Sequence, residues 1–161
     1  ARLLGLPYPG GPAIQKAARE GNPQAFNFPR ARLEGTWNFS FSGLKTAVLR
    51  TVRELESRGR NLPVADLAAS FQAAVVDILA QKTFHAAKVY QVKSILVAGG
   101  VSANEALRQA FLAQREFPVH IPPLSLCTDN AAMIAAAGYF HFIAGERHPL
   151  NLDVIPNWTL S

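Results

Sequence analysis

One stretch decides the fold class of this chain: Ser94-Ile95-Leu96-Val97-Ala98-Gly99-Gly100-Val101-Ser102-Ala103-Asn104. A short apolar run that ends at two glycines is typical of a fully buried strand in a parallel sheet. The residues after it have the apolar spacing of a helix, which is predicted from about Ser102 to about Glu116. A strand that leads directly into a helix indicates an α/β protein with a short central sheet and flanking helices.

A second strand and helix follow downstream. Residues 117–121 form another apolar run, which Pro122-Pro123 ends, and an Ala-rich helix, expected to be buried, is predicted to start at Asp129. Ligands on such sheets bind beyond the carboxyl ends of the strands. The turn at 99–104 and the loop at 127–129 are therefore predicted to face one shared cleft.

The part of the chain before residue 94 is predicted to contain a loop, a hairpin and helices. Pro9-Gly10-Gly11-Pro12 predicts a shaped loop, because proline restricts the backbone and glycine frees it. Alternating large apolar residues predict a hairpin of two strands, Phe26–Pro29 and Trp37–Ser42. Helical spacing then predicts the remaining elements, a short helix over residues 13–20 and longer ones over 43–58 and 64–90. The chain thus divides into a loop, hairpin and helix portion, 1–60, and a strand-helix portion with the predicted nucleotide site, 61–161.

The net charge of +5 is concentrated in residues 1–60, which hold ten Lys or Arg against four Glu, whereas residues 61–161 hold six against seven acidic residues. This basic portion is either a phosphate-facing surface or an ordinary solvated helix face, and charge alone does not decide between them. Lys45, at a predicted strand-to-helix junction, has the same two interpretations. The candidate phosphate contacts are Arg19, Arg30, Arg32, Lys45, Arg50, Arg53, Arg58 and Arg60.

Composition indicates a cytoplasmic protein without a membrane span. About half of the residues are apolar, enough to bury a core, and the apolar stretch Ala131–Ala144 is shorter than the roughly 20 residues that cross a bilayer. Cys127 is the only cysteine, so no intrachain disulfide is possible, and we expect a small buried thiol.

Two polar residues are candidates for a site, and each also has a purely structural interpretation. Asp129 is either the cap of the last helix or a ligand aimed into the cleft. Asn104 carries an amide able to read a base or ribose, but Ser102 and Glu105 have the spacing of a capping box that explains the helix start by itself. None of the four histidines has the spacing of a metal site, and one carboxylate cannot hold a metal alone.

Four motifs in order resemble the C-terminal half of the TsaD family, the tRNA N6-adenosine threonylcarbamoyltransferases. Singly they are weak, but jointly they are highly specific. They are Tyr8-Pro9-Gly10-Gly11-Pro12, Asn38-Phe39-Ser40-Phe41-Ser42-Gly43-Leu44-Lys45-Thr46-Ala47, Gly99-Gly100-Val101-Ser102-Ala103-Asn104 with Leu107-Arg108, and Cys127-Thr128-Asp129-Asn130-Ala131-Ala132-Met133-Ile134-Ala135.

The resemblance implies an actin-like, sugar-kinase-like fold (ASKHA, RNase H-like) of two lobes, of which residues 1–161 are the second. Such enzymes transfer threonylcarbamoyl from threonylcarbamoyl-adenylate to N6 of the adenosine 3′ of the anticodon in tRNA. By position, Gly11 and Asn104 match residues that contact the adenylate. Asp129 matches a ligand of one divalent metal ion, iron or zinc, whose two histidine ligands would precede Ala1.

The resemblance also implies partners. These are tRNA, a paralogous non-catalytic subunit and a small ATPase subunit. Because the chain lacks the family's histidine pair and phosphate loop, no residue here is assigned a catalytic role, and the chain alone is expected to be inactive. One alternative is a non-catalytic nucleotide-binding or interaction module of the same fold; another is a basic RNA-binding domain.

Overall fold

A computed structural model describes residues 1–30 and 35–155 of the chain. It is an α/β arrangement in which the described residues form five α-helices, a sheet of two short strands and three short 3₁₀ turns. In chain order the helices and strands are α1 (Gly10–Ala18), α2 (Ser42–Ser57), α3 (Val64–Val89), β1 (Ile95–Leu96), α4 (Glu105–Ala113), β2 (Val119–His120) and α5 (Ala131–Ile143).

Helix α3 is the centre of the structure. It is long and apolar enough to cross a membrane by length and composition, but Leu67, Ala68 and Ala74 on it have no exposed surface. Helices α1, α2 and α4 all pack against it. Burial of this kind is what the core helix of a folded domain shows. The cluster on its first half is formed by Leu4, Ile14, Ala18, Phe28, Leu44, Val52, Leu67, Ala68, Ala69 and Ala74.

The sheet is parallel, as predicted, with Ile95 opposite Val119 and Leu96 opposite His120. Ile95 packs in a second cluster with residues of α3 and α4, such as Val76 and Leu107. The prediction of a fully buried strand is wrong for β1, because Leu96 on its other face is 77% exposed. The helices cover one face of this sheet only.

The predicted hairpin is wrong. The described residues 26–30 and 35–41 form no strand. Phe26 and Phe28 stack on each other, and Phe28 is buried against α3. The backbone N–H of Phe26 donates to Ser70 Oγ of α3 at 3.1 Å. The alternating aromatic residues therefore belong to an extended segment that packs on the surface of α3, and not to a strand of a sheet.

Helix α5 differs from the expectation of a buried helix. It contains no buried residue, and large side chains such as Ile134 and Phe140 keep more than half of their surface exposed. It is apolar on every side, and a helix of that kind needs neighbours all around to be buried. The rest of the described chain does not supply them.

Candidate nucleotide site

A cavity of about 680 Å³ lies between the start of α1, the middle of α3 and the turn before α4. Its volume is in the range of small-molecule sites, and most of its lining is apolar. Gly11 and Asn104, which are far apart in the sequence, both line it. The full lining is Ala1, Gly10, Gly11, Pro12, Ile14, Gln15, Phe71, Gln72, Val75, Val76, Leu79, Gly100, Val101, Ala103, Asn104, Leu107 and Leu124.

Gly10 and Gly11 lie in the first turn of α1, after the N-cap Pro9. The predicted Pro-Gly-Gly-Pro loop is therefore a helix start, and the helix begins three residues earlier than expected. Proline is accepted in a first turn because the N–H groups there have no partner within the helix. The positive end of α1 thus borders the cavity, which favours an anionic group on a ligand.

Asn104 caps α4 and lines the cavity at the same time. Its Oδ1 accepts a hydrogen bond from the N–H of Leu107 at 2.9 Å, and its Nδ2 donates to Gln72 Oε1 at 2.8 Å. The predicted capping box is wrong, because the Oγ of buried Ser102 donates to the carbonyl of Gly99 instead. The helix accordingly starts at Glu105 and not at Ser102.

Two glutamines supply polar groups that the sequence interpretation missed. Gln72 contacts Asn104, and Gln15 Oε1 accepts a hydrogen bond from the N–H of Glu105 at 2.7 Å. The Arg19–Glu105 ion pair at 2.9 Å also joins α1 to the start of α4. Helical spacing could have predicted both residues. Gln15 follows Gly11 by four residues and so shares a face of α1 with it, and Gln72 lies on the same apolar stripe of α3 as Val75, Val76 and Leu79.

Asp129 lies outside the cavity lining. It is exposed, and its carboxylate has no hydrogen-bond or ion-pair partner in the part of the chain that the structure describes. It is not the helix cap, because α5 starts at Ala131 and Asn130 Oδ1 accepts from the N–H of Met133 at 3.0 Å. Its neighbour Thr128 lies beside Gly100, where a Cβ would be 3.9 Å from Thr128 Cγ2. The loop with Asp129 thus adjoins one wall of the cavity.

The described ranges, 1–30 and 35–155, contain no group of three or more His, Cys, Asp or Glu side chains that could hold a metal ion. His85 contacts the ring of Trp37, and His141 Nδ1 lies 2.7 Å from Glu146 Oε2. Asp129 alone does not fit a metal. Cys127 is a buried thiol, as predicted, with Sγ 3.4 Å from the carbonyl oxygen of Pro123.

The described basic residues of the first portion, 1–60, differ in whether they pair with a carboxylate. Arg30 pairs with Asp77, as Arg19 does with Glu105, and Arg58 pairs with Glu54. Arg32 lies outside the described residues. The remaining candidates are exposed and have no carboxylate partner among the described residues: Lys45, Arg50, Arg53 and Arg60.

Comparison with known proteins decides the family. The model of the TsaD family, tRNA N6-adenosine threonylcarbamoyltransferase, matches residues 1–136. The chain belongs to the TsaD family. The match includes the three predicted site residues Gly11, Asn104 and Asp129, and the α/β structure with its small parallel sheet is consistent with a TsaD-type domain.

Individual TsaD relatives agree with the family assignment. Proteins named tRNA N6-adenosine threonylcarbamoyltransferase are 53% identical over 156 residues in Dehalococcoides mccartyi strain CBDB1 and 51% identical over 165 residues in Moorella thermoacetica. A third, from Geobacillus thermodenitrificans, is 53% identical over 165 residues. These alignments cover 97%, 100% and 99% of this chain, but only 46%, 48% and 48% of the relatives. The chain therefore spans about half the length of the curated relatives it matches.

Proposed function

We propose that this chain is the nucleotide-binding part of a tRNA N6-adenosine threonylcarbamoyltransferase and forms one lobe of an actin-like (ASKHA) fold. The observation that carries the proposal is the cavity shared by Gly11 and Asn104, which come from separate segments of the chain. The whole protein would transfer threonylcarbamoyl from threonylcarbamoyl-adenylate to N6 of the adenosine 3′ of the tRNA anticodon. AMP would leave.

The cavity suits an adenylate in three respects. Its apolar walls, such as Phe71, Val75 and Leu107, can cover the faces of an adenine ring. The amides of Asn104 and Gln72 can both donate and accept hydrogen bonds, as the edge of adenine or ribose requires. The first turn of α1 offers backbone N–H groups to the phosphate.

The remaining parts of the proposal concern groups outside this chain. Asp129 would supply one ligand to a divalent metal ion, iron or zinc, whose other ligands would come from the half of the relatives that this chain does not match. The isolated chain would then be inactive. The exposed apolar surface of α5 is available to that other half. We propose tRNA, a paralogous non-catalytic subunit and a small ATPase subunit as partners, in the cytoplasm.

Calorimetric titration with AMP tests the proposed site. We expect AMP to bind the chain, and Asn104→Ser to lower its affinity about tenfold or more, because the variant loses the amide that meets the ligand. Serine is itself a good N-cap, so thermal unfolding of this variant should change little. Asn104→Ala should lose the same affinity and also about 1 kcal/mol of stability, because alanine cannot cap α4.

Comparison of Asn104→Ser with Asn104→Ala distinguishes contact of the Asn104 amide with the ligand from its role as the cap of α4. Wild-type AMP affinity in Asn104→Ser would show that Asn104 acts only as a helix cap. No AMP binding by the wild-type chain would remove the nucleotide site.

A further inference from the structure

Arg108 joins the two turns that follow the two strands. It projects from α4, and its Nη1 donates to the carbonyl of Ser102 at 2.8 Å, in the turn after β1. Its Nη2 donates to the carbonyl of Pro122 at 2.7 Å, in the loop after β2. One guanidinium group therefore fixes the distance between both strand-end segments.

These two hydrogen bonds, called here the Arg108 bridge, also cover the thiol of Cys127. Arg108 Nη1 lies 3.6 Å from Cys127 Sγ, and Cys127 is only 2% exposed. Two of the three partners of Arg108 are backbone carbonyls, and it has no carboxylate partner among residues 1–30 and 35–155. Because these acceptors lie in two directions, the planar fork of arginine reaches them together, whereas a lysine ammonium group would not.

Both ends of the bridge, Ser102 and Pro122, lie within two residues of the cavity lining. On one side, Val101 and Ala103 line the cavity and flank Ser102 in sequence. On the other side, Leu124 lines the cavity and accepts a backbone hydrogen bond from Cys127 at 3.2 Å. A ligand in the cavity would thus contact both segments that Arg108 holds together.

We infer that Arg108 is a positioning residue that couples occupancy of the cavity to the closed arrangement of loop 122–129, which carries Asp129. A ligand that contacts both segments stabilises the bridged arrangement, and the bridge in turn favours binding, because such coupling is reciprocal. This inference rests on the proposed function only in taking a nucleotide as the ligand. The bridge itself is independent of that choice.

Cys127 provides the test, because it is the only cysteine and is buried beneath the bridge. The rate at which an aromatic disulfide reagent labels this thiol, at fixed pH in the folded chain, reports how often the loop opens. In the free protein, Arg108→Met should raise the rate about tenfold or more, since it removes both charged hydrogen bonds. Arg108→Lys should raise it less. Arg115→Met removes an exposed arginine that makes no such bridge, and it should leave the rate unchanged.

The second arm adds AMP at a concentration that calorimetry shows to be saturating for each variant. The wild-type labelling rate should fall severalfold, and Arg108→Met should lose this protection even when AMP is bound. A role of Arg108 in stability alone would leave the protection intact. Arg108→Lys gives the same comparison if thermal unfolding shows that the methionine variant is not folded.

The possible results have distinct meanings. Equal labelling of free wild-type and Arg108 variants would overturn the bridge. Wild-type labelling that does not change when AMP is bound, or equal AMP protection in both proteins, would overturn the coupling. If AMP does not bind the wild-type chain at all, the proposed function fails and the nucleotide coupling with it, while the free-protein labelling still decides the bridge.

Discussion

Replacing Gly21 with alanine should destabilise the protein by about 3 kcal/mol or more. A Cβ at this position would lie 2.0 Å from the carbonyl oxygen of Ala65 and 2.3 Å from its carbonyl carbon. It would also lie 2.7 Å from the backbone nitrogen of Asp66. These are backbone atoms at the start of α3, so no rotamer change relieves the contact and one of the segments must move.

The contact lies where α1 and α3 are held together. The N–H of Asn22 donates to the Asp66 carboxylate at 2.7 Å, directly beside Gly21. Ile14 and Ala18 of α1 pack in the same core cluster as Leu67 of α3. Moving the segment after α1 would therefore disturb both the hydrogen bond and the core.

Urea unfolding monitored by circular dichroism measures this effect. Gly43→Ala is the matched control, because a Cβ there meets no atom within 4 Å and Gly43 lies in α2. Alanine should keep stability or raise it by up to about 1 kcal/mol, since it loses less backbone entropy than glycine in a helix. Equal unfolding midpoints for Gly21→Ala and wild type would contradict the close approach of α1 and α3.

Gly11→Leu should weaken AMP binding at least about a hundredfold. Apart from the adjacent residues and the backbone of α1 itself, no described atom lies within 4 Å of a Cβ built at Gly11, so the new side chain enters open space. That space is the cavity, because Gly11 lines it. Gly11 precedes Pro12, and a Cβ on the residue before a proline is disfavoured in the helical conformation, so thermal unfolding of each variant has to be measured beside its AMP affinity.

A graded series makes the interpretation specific. Gly11→Ala fills less of the cavity and should fall between wild type and Gly11→Leu in AMP affinity, measured by calorimetry with thermal unfolding as the check on folding. Lys16→Leu places the same side chain on an exposed part of α1 that does not line the cavity, so its effect should be small. If Gly11→Leu binds AMP like wild type, the ligand lies elsewhere.

The sequence predicts well those features that depend on local pattern. Helices α2 and α3 begin and end within a residue of their predicted limits, because their apolar spacing and the residues at their ends agree. The parallel pairing of β1 and β2 is confirmed, because a strand, a helix and a strand in succession favour it. The resemblance implies that Gly11 and Asn104 contact one ligand, whereas the presence of Gln15 and Gln72 in the lining of the same cavity is visible only in the structure.

The wrong predictions come from patterns that two structures satisfy. Extended segments that lie on a helix alternate apolar residues just as strands do, which explains the wrong prediction of a first hairpin strand at Phe26–Pro29. Ser102 and Asn104 can each cap a helix, and so can Asp129 and Asn130. The choice between them depends on tertiary contacts, such as the hydrogen bond from Asn104 to Gln72.

Titration of AMP into the isotopically labelled chain, followed by the backbone amide resonances, measures whether Gly11 and Asn104 contact one bound nucleotide. We expect the amides of Gly11 and Asn104 to shift together, at one common affinity, while that of Gly43 in α2 stays in place. Shifts confined to the residues around Lys45, Arg50 and Arg53 of α2, or unchanged resonances at both Gly11 and Asn104 when AMP is bound, would contradict a shared nucleotide site at Gly11 and Asn104.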